Sequence, residues 1–190
     1  NVPYYILLGV LAGFVSLYYA RVFKASEKRV HSLKINAYGK AIIGGVLLLG
    51  IYFVFPPLFG EGYGSIKLVA NGTFTSFTDN TTLFSKLGNN WGIIAFTALI
   101  VLVKPVAAGI TIGSGGNGGN FAPSLFVGAY LGFVFSKILN STPWTKIPES
   151  NFSLAGMAGV LSGVMYSPLT AIFLIAEITN GYELFIPLML

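Results

Sequence analysis

The run Gly113-Ser114-Gly115-Gly116-Asn117-Gly118-Gly119-Asn120-Phe121-Ala122-Pro123 sits between two apolar stretches, carries no charge, and has no bulky apolar side chain before Phe121. So little side chain leaves the main chain open to take part in its chemistry. Glycine admits positive φ and lets backbone approach a ligand closely. A helix beginning near Asn120 aims unpaired N–H groups and the positive end of its dipole back into the loop. Such an end favours an anion. Pro123 suits the first turn, where its missing N–H would have had no intrahelical partner, and the amides of Asn120 and Phe121 stay available. A site of neutral amides can hold a partly dehydrated ion weakly enough to release it again.

Other chemistries fit these residues less well. Gly113, Gly115 and Gly118 match the spacing of a dinucleotide-binding loop, but no strand precedes them and no acidic residue follows about 20 positions on. A phosphate loop would need Gly-Lys-Ser/Thr at its end, which is missing. A plain glycine hinge between helices is the structural competitor. Cysteine is absent and His31 is the single histidine, so neither thiolate nor histidine metal clusters can form. Ser114 and Ser124 have no nearby histidine to activate them, so the reading is of a non-enzyme without a cofactor. Glu177 is the one acid within an apolar run, and such acids are functional candidates by default. Lys104, inside another run, either snorkels or adds positive potential to an anion vestibule.

The elements that must position this loop follow from composition. Of 190 residues, 54% are hydrophobic and 9% charged, against about 25% charged in an ordinary soluble domain. This excludes a disordered chain and argues for an all-α integral membrane protein. A net charge of +5 invites a nucleic-acid reading, but the basic residues cluster in one short segment with no aromatic polar face beside them, so no nucleic-acid partner is expected. A hydrocarbon core about 30 Å thick requires roughly 20 apolar residues in a helix. Four runs qualify: Val2 to Ala20, Ala41 to Phe55 ending at Pro56-Pro57, Trp91 to Ile112, and Phe121 to Leu139. A fifth, Phe152 to Ile178, is split at Ser162-Gly163 and Ser167-Pro168 into pieces of about ten residues, which predicts half-length helices.

Arg21 to Lys40 reads as a basic loop, placed on the cytoplasmic side by the positive-inside rule; Pro57 to Asn90, poor in net charge, falls on the opposite face. Small residues four apart at Gly9/Gly13, Gly128/Gly132 and Gly159/Gly163 predict close helix packing. Non-helical backbone at the depth of the glycine loop survives only if buried in protein or lining a watery cavity. Both ends of the chain lie in apolar sequence, which reads as a piece truncated at each end.

Gly119-Asn120-Phe121-Ala122-Pro123, within Gly113 to Leu125, resembles the GxFxP region of the ClC chloride channels and chloride/proton antiporters. The segment from Ala155 through Ser167-Pro168-Leu169 to Glu177-Ile178-Thr179 resembles that family's next two short helices, in order. The resemblance implies an inverted-repeat helical bundle with broken and re-entrant helices, of which residues 1–190 are part of the C-terminal repeat. It implies chloride or a similar anion as cargo, central-site amides at Asn120 and Phe121, a homodimer, and a plasma-membrane or bacterial inner-membrane setting. It also implies that the family's serine motif, its gating and proton-transfer glutamates and its pore tyrosine lie before Asn1 or after Leu190, with Tyr182 too early to be that tyrosine. Position 120 varies in the family, so the Asn120 side chain either tunes the pore or serves only to supply an amide. An acid at Glu177 has a mainly structural role there. The alternatives are a cation or neutral-solute transporter of the same design and a non-conducting scaffold. The charge-free loop argues against a cation site.

Overall fold

The computed structural model describes residues 2–59, 90–141, 146–178 and 189. Most of the loop 57–90, and Tyr182, lie outside the described residues. Among the described residues every regular element is helical: α1 (Val2–His31), α2 (Ala37–Val54), a 3-10 turn (Pro56–Leu58), α3 (Asn90–Gly113), α4 (Phe121–Asn140), α5 (Glu149–Met165) and α6 (Pro168–Ile178).

Among the described residues, the four apolar runs become the four helices long and apolar enough to cross a membrane. The first is longer than expected. Helix α1 continues through Arg21, Lys24, Lys28 and Arg29 to His31, so Arg21 to Lys40 is not a loop; the connection is 32–36, and Lys40 already lies in α2. The reason is that the end of an apolar run is where a helix leaves lipid, not where it stops. Lysine and arginine are good helix formers, and no glycine or proline intervenes before His31. The basic residues Lys28, Arg29 and His31 also suit the negative end of the helix dipole, and Lys40 Nζ donates to the His31 carbonyl at 2.6 Å. At 30 residues, α1 is about 45 Å long.

Helices α1, α3 and α5 run parallel, with α4 and α2 antiparallel to them. The direction can be read from contacts. Down α1, Tyr5 stacks on Phe152, Ala12 meets Gly159 and Ser16 meets Gly163, all in ascending order along α5. Along α4, Gly128 meets Gly156 and Gly132 meets Phe152, in descending order. A Cβ on Gly132 would strike the Phe152 carbonyl, and one on Gly156 would strike the Gly128 carbonyl, so these glycines allow two backbones to touch where hydrophobicity cannot drive helices together. Gly159 and Gly163 make room for the Ala12 and Ser16 side chains of α1. Gly9 and Gly13 have nothing within 4 Å of where a Cβ would stand.

Helix α4 is the centre of the bundle: Ser124 to Tyr130 are all buried, and Phe126 and Phe133 have no exposed surface. Buried hydroxyls bond back to carbonyls a turn earlier, Ser124 to Phe121 and Ser136 to Phe133, each at 2.8 Å, which avoids unsatisfied donors. The α4–α5 connection is braced at both ends. Lys137 pairs with Glu149 at 2.9 Å, and Asn140 both donates to and accepts from the Ile147 backbone at 2.9 and 2.8 Å.

The fifth run breaks once, not twice. Helix α5 passes straight through Ser162-Gly163, because Ser162 satisfies its hydroxyl on the Gly159 carbonyl and Gly163 faces Ser16. It stops at Tyr166, which adopts the left-handed conformation (φ 55°), and Pro168 opens α6. The 11 residues of α6 reach about 16 Å, too short to span.

Candidate anion site

The glycine loop begins as a helix stop. The Gly116 N–H donates to the Thr111 carbonyl (2.9 Å) and the Gly115 N–H to the Ile112 carbonyl (3.0 Å), while Gly115 has φ +92°. This is a Schellman end to α3, and it accounts for Gly115 without a ligand. Gly113 and Gly116 likewise have structural reasons: a Cβ on the first would stand 2.7 Å from the Glu27 carbonyl of α1, and on the second 2.7 Å from the Thr111 carbonyl. Ser114 donates to the Thr111 carbonyl at 3.0 Å and packs against Gly44 of α2. Gly118 and Gly119 are not crowded in this way, and both line a cavity of about 280 Å³.

Past the loop, the chain turns inward. Gly113 lies beside Glu27 and Val30 near the end of α1, whereas Asn120 lies beside Tyr19, midway along it. Helix α4 therefore begins inside the packed bundle, with its first turn between α1 and the cavity. The Asn120 carbonyl accepts from Ser124 at 3.1 Å, the first bond of the helix. Among the described residues no carbonyl takes the N–H of Asn120, Phe121 or Ala122, and no side chain caps the helix. Pro123, third in the helix, has no N–H to place. Three adjacent amides are thus left facing out of one helix end, with no acid in the loop to oppose an anion. Sequence reasoning named Asn120 and Phe121 but missed Ala122, although the proline after it is the signal: a helix starting at Phe121 leaves its second amide free as well.

The cavity beside this helix end is lined by Tyr52, Lys104, Thr111, Gly118, Gly119 and Pro123, among others. Lys104 does not snorkel. Its side chain is 4% exposed, its Nζ donates to the Leu58 carbonyl at 2.9 Å and sits 4.7 Å from the centre of the Phe126 ring, tying α3 to the 3-10 turn and to α4. Its neighbour Pro105 lies inside α3, where it removes one helical hydrogen bond; close by, the Tyr18 hydroxyl donates to the Leu102 carbonyl at 3.0 Å. Glu177 is exposed near the end of α6 and does not line the cavity. Among the described residues no cluster of metal-binding side chains occurs.

The model of the voltage-gated chloride channel family matches residues 1–190. The chain is 33% identical to "Chloride channel protein CLC-e" of Arabidopsis thaliana over 100% of this chain and 27% of that protein. It is 26% identical to "H(+)/Cl(-) exchange transporter ClcA" of Vibrio campbellii over 98% of this chain and 37% of that one. With "Chloride channel protein CLC-f" of A. thaliana it shares 32% identity over 100% of this chain and 24% of the relative. The chain thus spans about a quarter to just over a third of the length of these relatives. An all-helical set of apolar spans, a glycine loop ending in free amides and a family match over every residue lead to one conclusion: this is an integral membrane protein belonging to the voltage-gated chloride channel family.

Proposed function

We propose that residues 1–190 form part of the C-terminal repeat of a membrane domain that carries chloride or a similar small anion, and that the backbone amides of Asn120, Phe121 and Ala122 hold the ion. The observation that carries this reading is the start of α4. It lies within the bundle, with three amides unclaimed among the described residues and only Gly, Ser and Asn before it. Chloride suits such a site because weak, neutral donors replace part of its hydration without adding a fixed charge that would hold it too long. The transport is passive conduction or exchange for protons, as the names of the relatives offer both, and no covalent step or cofactor enters it. Lys104, beside the same cavity, contributes positive potential to the approach, while Gly113, Ser114, Gly115 and Gly116 fix where the loop turns and Gly118, Gly119 and Pro123 shape its mouth. Glu177 has a structural role in this reading. The family's homodimer, a plasma-membrane or bacterial inner-membrane location and a cytoplasmic side for 21–40 belong to the same proposal; the six basic residues in that segment support the last of these.

The test is chloride efflux from liposomes containing the full-length protein, with external pH recorded. The phenylalanine at 121 is replaced by its α-hydroxy analogue, which exchanges the N–H for an ester oxygen and keeps the ring. Wild type is expected to release chloride and the ester to do so several-fold more slowly. Proton movement against its gradient during chloride flow marks an exchanger. Undiminished flux through the ester removes the amide site, and no flux from folded wild type under any gradient leaves the scaffold alternative.

A further inference from the structure

Asparagine is among the strongest helix-capping residues: at the N-cap its side-chain oxygen ordinarily turns back to accept from the amide of the second or third helical residue. At the start of α4 the cap position is Asn120, the second residue is Ala122, and the third is Pro123, which has no N–H. A capping Asn120 would therefore occupy the Ala122 amide, one of the three that the anion needs. The structure avoids this. Asn120 makes no capping bond, and its backbone is helical (φ −81°, ψ −12°) where a capping residue is normally extended. Its Oδ1 accepts instead from the Tyr19 hydroxyl of α1 at 3.2 Å, across 101 positions of sequence. Tyr19 has no exposed surface, and its ring stacks on Phe23 at 6.1 Å with the planes within 5°, so the hydroxyl is held where it is.

We propose that Tyr19 is a positioning residue for the anion site: it holds the Asn120 side chain against α1 and so keeps α4 uncapped and its first amides open to chloride. This rests on the amide reading above and adds a competitor to it, because a capping oxygen and an anion are rivals for the same donor. The residue type at 120 makes the tether necessary. A side chain without an oxygen could not cap, whereas a released asparagine could do so once its backbone turned from helical to the extended conformation of a capping residue.

The experiment is a double-mutant cycle in the full-length protein, read by calorimetric titration with chloride and by chloride efflux from liposomes. Tyr19→Phe removes the tether and keeps the ring, and is expected to weaken chloride binding about five-fold, the factor that one ordinary N-cap bond represents. In an Asn120→Ala background no side chain remains to compete, so adding Tyr19→Phe is expected to change nothing relative to Asn120→Ala alone. That cancellation is the decisive readout, since Asn120→Ala repairs no packing fault left at position 19. Asn120→Ser gives an independent arm with Tyr19 intact: serine caps well but is too short to be held by the tyrosine, and is expected to bind chloride about as weakly as Tyr19→Phe. Wild-type affinity in Tyr19→Phe, equal damage from Tyr19→Phe in both backgrounds, or serine binding as alanine does would each overturn the proposal. The ester at Phe121 separates the two levels. An impaired ester beside an unaffected Tyr19→Phe sinks only the tether, while an ester that binds chloride as wild type does removes the amide site and the tether with it.

Discussion

At the residue scale, several buried polar side chains answer a specific backbone carbonyl. Lys104 is the costliest of these, a cation 4% exposed between three elements, and its ammonium answers the Leu58 carbonyl at 2.9 Å. Lys104→Met keeps most of the volume and removes both that bond and the contact with the Phe126 ring. Leaving a buried carbonyl without its donor costs about 1–3 kcal/mol, so a lower unfolding temperature in detergent is expected. The same variant removes the positive potential proposed for the cavity and is expected to weaken chloride binding, a loss that shrinks as ionic strength rises. A variant as stable as wild type would mean that the Leu58 carbonyl finds another donor. The serines show the cheaper solution to the same problem, each hydroxyl folded onto a carbonyl of its own helix.

At the element scale, glycine position decides which helices can touch. Gly132 and Gly9 look alike in sequence, each in a small-xxx-small pair within an apolar helix, yet only the first has backbone against it. Gly132→Ala drives a methyl into the Phe152 carbonyl and is expected to cost about 1–3 kcal/mol, because neither backbone can yield without parting α4 from α5. Gly9→Ala meets nothing within 4 Å and is expected to be neutral or to stabilise α1 by up to about 1 kcal/mol through helix propensity. Thermal unfolding of the two variants side by side in detergent checks the pair, and equal effects would contradict the α4–α5 register. The glycine loop divides by the same rule. Gly113, Gly115 and Gly116 are explained by the end of α3 and its packing on α1, leaving Gly118 and Gly119 as the ones that border the cavity.

At the scale of the whole molecule, apolar side chains point outward as well as inward. Helix α2 exposes Ile42, Val46, Leu49 and Phe53, and α1 exposes Ile6, Val10 and Phe14, surfaces that suit lipid or further transmembrane helices. The orientation proposed above rests on the basic end of α1 and the 32–36 connection. In the full-length protein with any cysteine outside these residues replaced, Lys34→Cys is the reporter: a membrane-impermeant maleimide is expected to label it in inside-out vesicles and not in intact cells. Labelling from outside would invert the topology.

Composition and run length alone determined that this is a helical membrane protein, where its four long spans lie, and that residues 113–123 are an uncharged, glycine-rich break between two of them. These are local properties, fixed by hydrophobicity over about 20 consecutive residues and by glycine and proline at particular steps. Helix ends were less legible. Nothing in the apolar pattern marks α1 as running on to His31, because its last turns leave the apolar stretch while remaining good helix, and Ser162-Gly163 resembled a break until Ser16 supplied a neighbour. Tertiary structure alone decided the rest: which glycines hold backbones together, that Lys104 is buried on a carbonyl, and that Tyr19 meets Asn120. Each of these depends on residues brought together from distant parts of the chain, where packing chooses the partner and no local spacing records the choice.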